Sequence, residues 1–206
     1  MKFSVSITDN ATPALRDFIA RLCARRPLHQ AMGTRVKALV RDHVIDLAGK
    51  RHDTATRLGA RPSGFLGKAA ENVERSAPKA DAEGVTISLN HPAFARAFGD
   101  VEIKPTSGKF LTIPLLAAAY NQRAYRIKDL FVIKGDKGGL LLAKKDKAGK
   151  LTPWYLLVSS VRQARDRSLL PSDERILDAA KKGVADYIEV LLKAKAASAG
   201  ATPATA

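Results

Sequence analysis

Four histidines, one cysteine and the Gly67-Lys68 step are the residues of this 206-residue chain whose chemistry would matter most. His29, His43, His52 and His91 stand far apart, and no two occupy i and i+4 of a helix, the spacing that presents two imidazoles to zinc. His43 has Asp42 and Asp46 close by, a grouping that would suit acid–base work. It also falls on an apolar helical stripe with Val40 and Val44, so a half-buried structural histidine is the simpler reading. Cys23, being single, excludes an intrachain disulfide and a cysteine-based metal site. Its place on another apolar stripe makes it a small core residue. The stretch "GARPSGFLGKA" approaches a phosphate loop but misses it three times. Pro62 stands where the first glycine is needed, Ala69 replaces the hydroxyl that would hold magnesium, and no hydrophobic strand precedes it. No G-x-S-x-G elbow occurs, and "GDKGG" is followed by no helix, which makes it a turn and not an anion cradle. The residues predict a protein that is not an enzyme and calls for no metal and no cofactor.

Charge is the stronger signal. Thirty-five Lys and Arg face 20 Asp and Glu, a formal net charge of +15, and such a balance points to a polyanionic partner, most often nucleic acid. Between Arg123 and Lys150 nine cations (Arg123, Arg126, Lys128, Lys134, Lys137, Lys144, Lys145, Lys147 and Lys150) stand against Asp129, Asp136 and Asp146, a local net of +6. Several lie in or beside turns, where long side chains reach solvent. They suit equally a solvated rim that discourages edge-to-edge strand pairing. The seven Phe and four Tyr are not interleaved with this cluster as stacking platforms would be, so non-specific phosphate attraction is expected and base readout is not.

The elements that must carry these residues follow from periodicity and punctuation. "KFSVSIT" alternates Phe3, Val5 and Ile7 as a strand. Thr12 and Pro13 then open an amphipathic helix with Leu15, Phe18, Ile19, Leu22 and Cys23 on its stripe. Pro27 breaks the chain before a second helix that carries Met32, Val36, Leu39, Val40, His43, Val44 and Leu47 to about Ala48, with Gly49 to close it. Residues 50–64 read as a loop and "FLGKAAENVERSA" as a short, weakly packed helix. Val85, Ile87 and Leu89 alternate as a strand, and residues 91–109 are irregular. Residues 110–116 form a strand that Pro114 confines to an edge. "LFVIKGDKGGLLLAKK" is a hairpin and "PWYLLVSSV" a further strand. Ser172 caps a final helix with Asp173 and Glu174 in its first turn and Ile176, Ala180, Val184, Tyr187, Ile188 and Leu191 on its stripe. The order predicts an α+β fold, with an N-terminal strand and two amphipathic helices packed on a mostly antiparallel sheet and a C-terminal helix. A single domain over 1–195 and a disordered tail over 196–206 complete it. The segment "MKFSVSITDN" lacks the apolar core of a signal peptide, and no run approaches a membrane span, so a protein of the reducing cytoplasm is expected.

This ordered set of segments resembles the Mu-like phage virion morphogenesis, or tail-completion, proteins. The likeness covers most of residues 3–190: "SVSITDNATPALRDFIARL", "RPLHQAMGTRVKALVRDHVIDL", "GVTISLNHPAFARAFGDVEIKPTSGKFLTIPL", the hairpin, "WYLLVSSV" and "SLLPSDERI". It departs at Phe98-Gly99-Asp100, where members often carry paired glycines. The resemblance implies a structural virion protein at the head–tail junction or tail end, assembled in the host cytoplasm. It implies a homo-oligomeric ring, six-fold in preference to twelve-fold, that meets neighbouring connector and tail proteins and no membrane. A ring around packaged DNA would put Lys134, Lys137, Lys144, Lys145, Lys147 and Lys150 at a DNA channel or between subunits. The alternative is a free, non-specific nucleic-acid-binding protein.

Overall fold

Helical periodicity fills both ends of the chain, and strand alternation fills the stretch between them. The computed structural model describes residues 11–135, 138–146 and 148–199. In chain order the elements are α1 (Ala11–Cys23), α2 (Arg25–Lys50), α3 (Asp53–Leu58), α4 (Phe65–Arg75), β1 (Lys79–Ala80), β2 (Val85–Thr86), α5 (Ala95–Phe98), β3 (Val101–Ile103), β4 (Leu111–Pro114), β5 (Phe131–Lys134), β6 (Leu140–Lys145), β7 (Leu151–Val158), β8 (Val161–Gln163) and α6 (Asp173–Ala199). The fold is α+β, and every strand pairing is antiparallel among the described residues. The predicted strand at Phe3, Val5 and Ile7 lies outside the described residues. The chain divides into two compact units, one of Met1–Arg41, Val73–Leu89 and Pro171–Ala206, the other of Asp42–Asn72 and Asn90–Leu170.

The first unit is built on close backbone approach. A Cβ on Gly183 would lie 2.7 Å from the Ala31 carbonyl oxygen and 2.8 Å from Met32 Cα, so α6 crosses α2 with backbone against backbone. A Cβ on Gly33 would lie 2.9 Å from Pro78 Cβ and run into the Val85 side chain, so the β1–β2 hairpin seats on α2 there. The Tyr187 hydroxyl donates to the Arg21 carbonyl at 3.1 Å, satisfying one of the acceptors that the end of α1 leaves without an intrahelical donor. Ser172 Oγ accepts from Arg175 N at 3.4 Å as the expected cap of α6. Lys37 donates to the Glu74 carbonyl at 2.7 Å, and Arg41 bonds the Glu74 carboxylate at 3.0 Å. Partly exposed pairs of this kind contribute about 0–1 kcal/mol, so the glycine contacts decide the packing.

Three expectations change here. The break between the first two helices falls at Ala24, and Pro27 sits in the first turn of α2, where its missing N–H and fixed φ are tolerated. The contacts that hold α1 engage Phe18, under Lys195 Nζ at 5.3 Å, and the Arg21 carbonyl. Leu15 and Ile19 lie outside them, 53% and 50% exposed, and Cys23 is exposed too, not a core residue. At the other end α6 continues to Ala199, past the point where low apolar content predicts disorder.

The second unit holds a four-stranded sheet in the order β4-β7-β6-β5, with β3 and β8 paired separately. Pro114 does stand on an edge strand. Pro153 lies inside β7, where it cannot donate to a ladder. A bulge absorbs it: Leu142 faces Tyr155 and Ala143 faces Pro153, which leaves Trp154 as the extra residue. Tyr155 is 1% exposed, and its hydroxyl donates to the carbonyls of Ala119 (3.0 Å) and Gln122 (3.1 Å). Burial pushes its phenol pKa up.

Helical content was missed between residues 50 and 64. There α3 forms around the buried Ala55 and closes at Gly59, whose φ of 65° is the left-handed C-cap that glycine accepts without cost. Helix α4 is not weakly packed, since Ala69, Ala70 and Val73 are all buried; small side chains let it lie close to its neighbours. The irregular stretch 91–109 contains a 3-10 turn whose cap is His91, Nδ1 accepting from Ala93 N, then α5 and β3.

Gly183→Ala should lower stability by about 1–3 kcal/mol as an overpacked contact, despite an intrinsic helix-propensity gain of about 1 kcal/mol; urea denaturation measures it. Tyr155→Phe keeps the ring but takes the hydroxyl donor from the Gln122 carbonyl and one of two donors from the Ala119 carbonyl, which retains Gln122 N at 3.3 Å. The same titration should show a loss of about 1–3 kcal/mol.

Candidate functional site

The hairpin of β5 and β6 carries the basic residues singled out from sequence, and its register separates them. Lys134 ends β5 opposite Leu140, next to Gly135, whose N donates to the Gly139 carbonyl at 2.8 Å. Lys144 and Lys145 end β6 opposite Thr152 and Leu151 of β7, beside the turn that leads to Lys150. That turn is organised by Asp146, whose Oδ1 accepts from Ala148 N at 3.0 Å and Lys150 N at 2.8 Å. From Leu140 to Lys145 the strand rises about 17 Å, so Lys134 stands at one end of the sheet and Lys144, Lys145 and Lys150 at the other. Lys137 and Lys147 lie outside the described residues. Lys134, Lys145 and Lys150 are exposed, while Lys144 faces Asp129 at 3.8 Å. The four described lysines are therefore not one cluster.

Aromatic residues are not absent from the basic stretch. Tyr125 is 72% exposed, with the guanidinium carbons of Arg123 and Arg126 at 5.9 and 5.8 Å from its ring centroid. The signal was the short sequence Arg-Ala-Tyr-Arg, which a search for aromatics spread along the whole basic run passes over.

The second unit also contains a cavity of about 970 Å³, and the "GARPSGFLGKA" stretch forms part of its wall where it opens α4. Arg51, His52, Arg96 and Asp166 line it among apolar walls that include Phe65 and Ile103. Asp166 is held from several sides. Its Oδ1 accepts from the Ser168 hydroxyl (2.5 Å) and Ser168 N (3.1 Å), and its Oδ2 from Arg51 Nη1 (2.6 Å). The Ser168 hydroxyl first, and Arg51 with it, keeps this carboxyl below the usual carboxylate range. A carboxylate so saturated is a poor base. The Ser168 hydroxyl proton is committed to Asp166, and His43 Nε2 meets the Ser168 carbonyl at 2.9 Å, not its hydroxyl. The serine, histidine and aspartate thus meet without the order that nucleophilic catalysis needs.

Among the described residues no group of three His, Cys, Asp or Glu side chains is placed to hold a metal, and no helix is long and apolar enough to cross a membrane. Comparison with protein-family models, with curated proteins and with solved structures gives no match.

Because the folded-state pKa of Asp166 is depressed, its contribution to stability is present above the ordinary carboxylate pKa and is lost as pH falls through the lower folded value. Asp166→Asn should therefore be destabilising at neutral pH. Its deficit against the parent should shrink as pH drops below about 4, which urea titrations at neutral and strongly acidic pH would read directly.

Proposed function

We propose that this chain is a structural virion protein that forms a homo-oligomeric ring at the phage head–tail junction or tail end, around the passage for DNA. The observation that carries the reading is the open edge of the four-stranded sheet. Among the described residues strand β5 pairs on one side only, and Phe131 and Val132 on it are 40% and 58% exposed. Proteins that work alone blunt such edges with proline, bulges or inward-pointing charge, because unpaired backbone groups beside apolar side chains template association. Here Lys134 at the strand end is the one charged residue of β5. Leu15 and Ile19 on α1 and Val190 and Leu192 on α6 add exposed apolar side chains of the kind that subunit contacts cover. A head-to-tail contact between two different patches closes into a ring when its rotation permits. The positive excess of +15 suits a wall around DNA, which carries one negative charge per roughly 1.7 Å of axis. The resemblance of the segment order to that of Mu-like tail-completion proteins supports the same role.

A free, non-specific nucleic-acid-binding protein is the second reading, favoured by the exposed Tyr125 between two arginines. Light scattering on the purified chain separates the two. The ring reading expects a closed species at six times the subunit mass, or twelve, and co-purification with tail or virion particles at fixed stoichiometry. A monomer at every concentration, bound to DNA and missing from particles, would replace it with the second.

A further inference from the structure

We propose that the loop from Asn121 to Asp129 is a pre-organised clasp for the sugar-phosphate backbone of double-stranded DNA, with Arg123, Tyr125, Arg126 and Lys128 as its contacts. This deepens the proposed function by naming what meets the DNA. Its test reads binding and not assembly, so either can fail without the other.

Charge and exposure single the loop out. Arg123, Tyr125, Arg126 and Lys128 are all exposed, and the one acid of the loop, Asp129, faces Lys144 at 3.8 Å, away in sequence from the arginines. Asp129 and Asn121 bracket the segment and are the two non-glycine residues with positive φ among the described residues, at 65° and 61°. Asn and Asp enter that conformation more readily than other side chains, and at Asn121 the surroundings add a hold. Here the surroundings are identifiable. The buried Tyr155 hydroxyl holds the Ala119 and Gln122 carbonyls, and Asn121 Nδ2 donates to the Arg61 carbonyl at 3.0 Å. Within the loop a 3-10 turn over Ala124–Arg126 is closed by Arg126 N to Arg123 O (2.9 Å) and Ile127 N to Ala124 O (3.1 Å). Little ordering entropy is left to lose when a ligand arrives.

The side chains are arranged for phosphate. Tyr125 gathers two guanidiniums about one ring, and Arg123 Nη1 donates to its hydroxyl at 3.4 Å. Arg123 first and Arg126 second push the phenol pKa down, as expected of a hydroxyl in a positive field. Each guanidinium carries five N–H donors, most of them without a protein acceptor here, and its planar fork matches two phosphate oxygens. Two like charges held side by side repel until an anion joins them. What the loop presents is gathered cations and a single ring, so the expected contact is to the backbone and blind to sequence.

The experiment is fluorescence anisotropy of the full chain on two labelled duplexes of unrelated sequence, across a potassium chloride series. Arg123→Gln with Arg126→Gln should reduce the magnitude of the log K against log salt slope by about two, equally on both duplexes, with thermal melting unchanged. Lys128→Gln should remove about one more unit, whereas Lys134→Gln, at the other end of the sheet, should leave the slope alone. Tyr125→Ala should weaken binding most and Tyr125→Phe less, since Phe keeps the ring but loses the hydroxyl that accepts from Arg123. An unchanged slope in the double arginine variant, or no salt-dependent binding by the parent, overturns the proposal. So does loss of poly-glutamate binding with the DNA slope intact, which would assign the loop to an acidic protein.

Discussion

A hydroxyl buried in the middle of a sheet is a demand that its surroundings must meet, and in the second unit they are shaped around that demand. Tyr155 faces Pro114 on one side and Leu142 on the other, so its strand is the one that both β4 and β6 lean on. An unpaired phenol there would cost on the order of 1–3 kcal/mol. The chain answers with two carbonyls from a single turn, those of Ala119 and Gln122. That answer fixes the path of the backbone into residues 121–129, and hence where three cations and an exposed ring emerge. The bulge at Pro153 belongs to the same constraint. Without it, a proline two residues before Tyr155 would break the ladder beside the strand centre.

The first unit is constrained by the absence of side chains. Gly33 and Gly183 remove the atoms that would hold α2 away from the hairpin and from α6. Glycine inside a helix costs about 1 kcal/mol against alanine, and close helix contact offsets it through many weak dispersion contacts. The polar contacts around these crossings are surface pairs such as Arg41 with Glu74, which adjust a register already set by packing.

Periodicity made long elements legible, and what it could not read was contact. The stripe through Val40 and Val44 is buried and the hairpin pairs as its turn suggested, because each is written in local alternation. Residues 53–58 escaped because six residues are too few to display a helical period, and α4 looked weak because Ala69 and Ala70 give little hydrophobic signal although both are buried. Leu15 and Ile19 show the reverse. Their spacing is that of a core stripe, yet no described partner covers them, since amphipathicity states what a face can bury and not what is there to bury it. For the candidate site, composition singles out a basic stretch of chain, and the structure sets Lys134 apart from Lys144, Lys145 and Lys150 within it. Strand register decides which lysines stand together, and register depends on a pairing and a bulge that no window of sequence contains.

Net charge and apolar edge pull a lone subunit in opposite directions. At +15, two copies repel each other over a range of about 8 Å at physiological salt, while in the proposed ring the exposed Phe131 and Val132 of β5 would favour their meeting. A polyanion threaded through the proposed ring would relieve the first without touching the second, so DNA and assembly would support each other by ordinary linkage: whatever binds the assembled form better stabilises it. The placement of cations matters to that coupling. Lysines at the strand ends are long, mobile point charges whose field is felt broadly, whereas Arg123 and Arg126 are gathered on a ring at the head of β5, with Asn121 and Asp129 fixing the backbone on either side. In the proposed ring, diffuse charge at the turns would attract DNA from a distance and gathered charge in the loop would hold it without reading it, the division of labour that a passage for an arbitrary genome sequence would require.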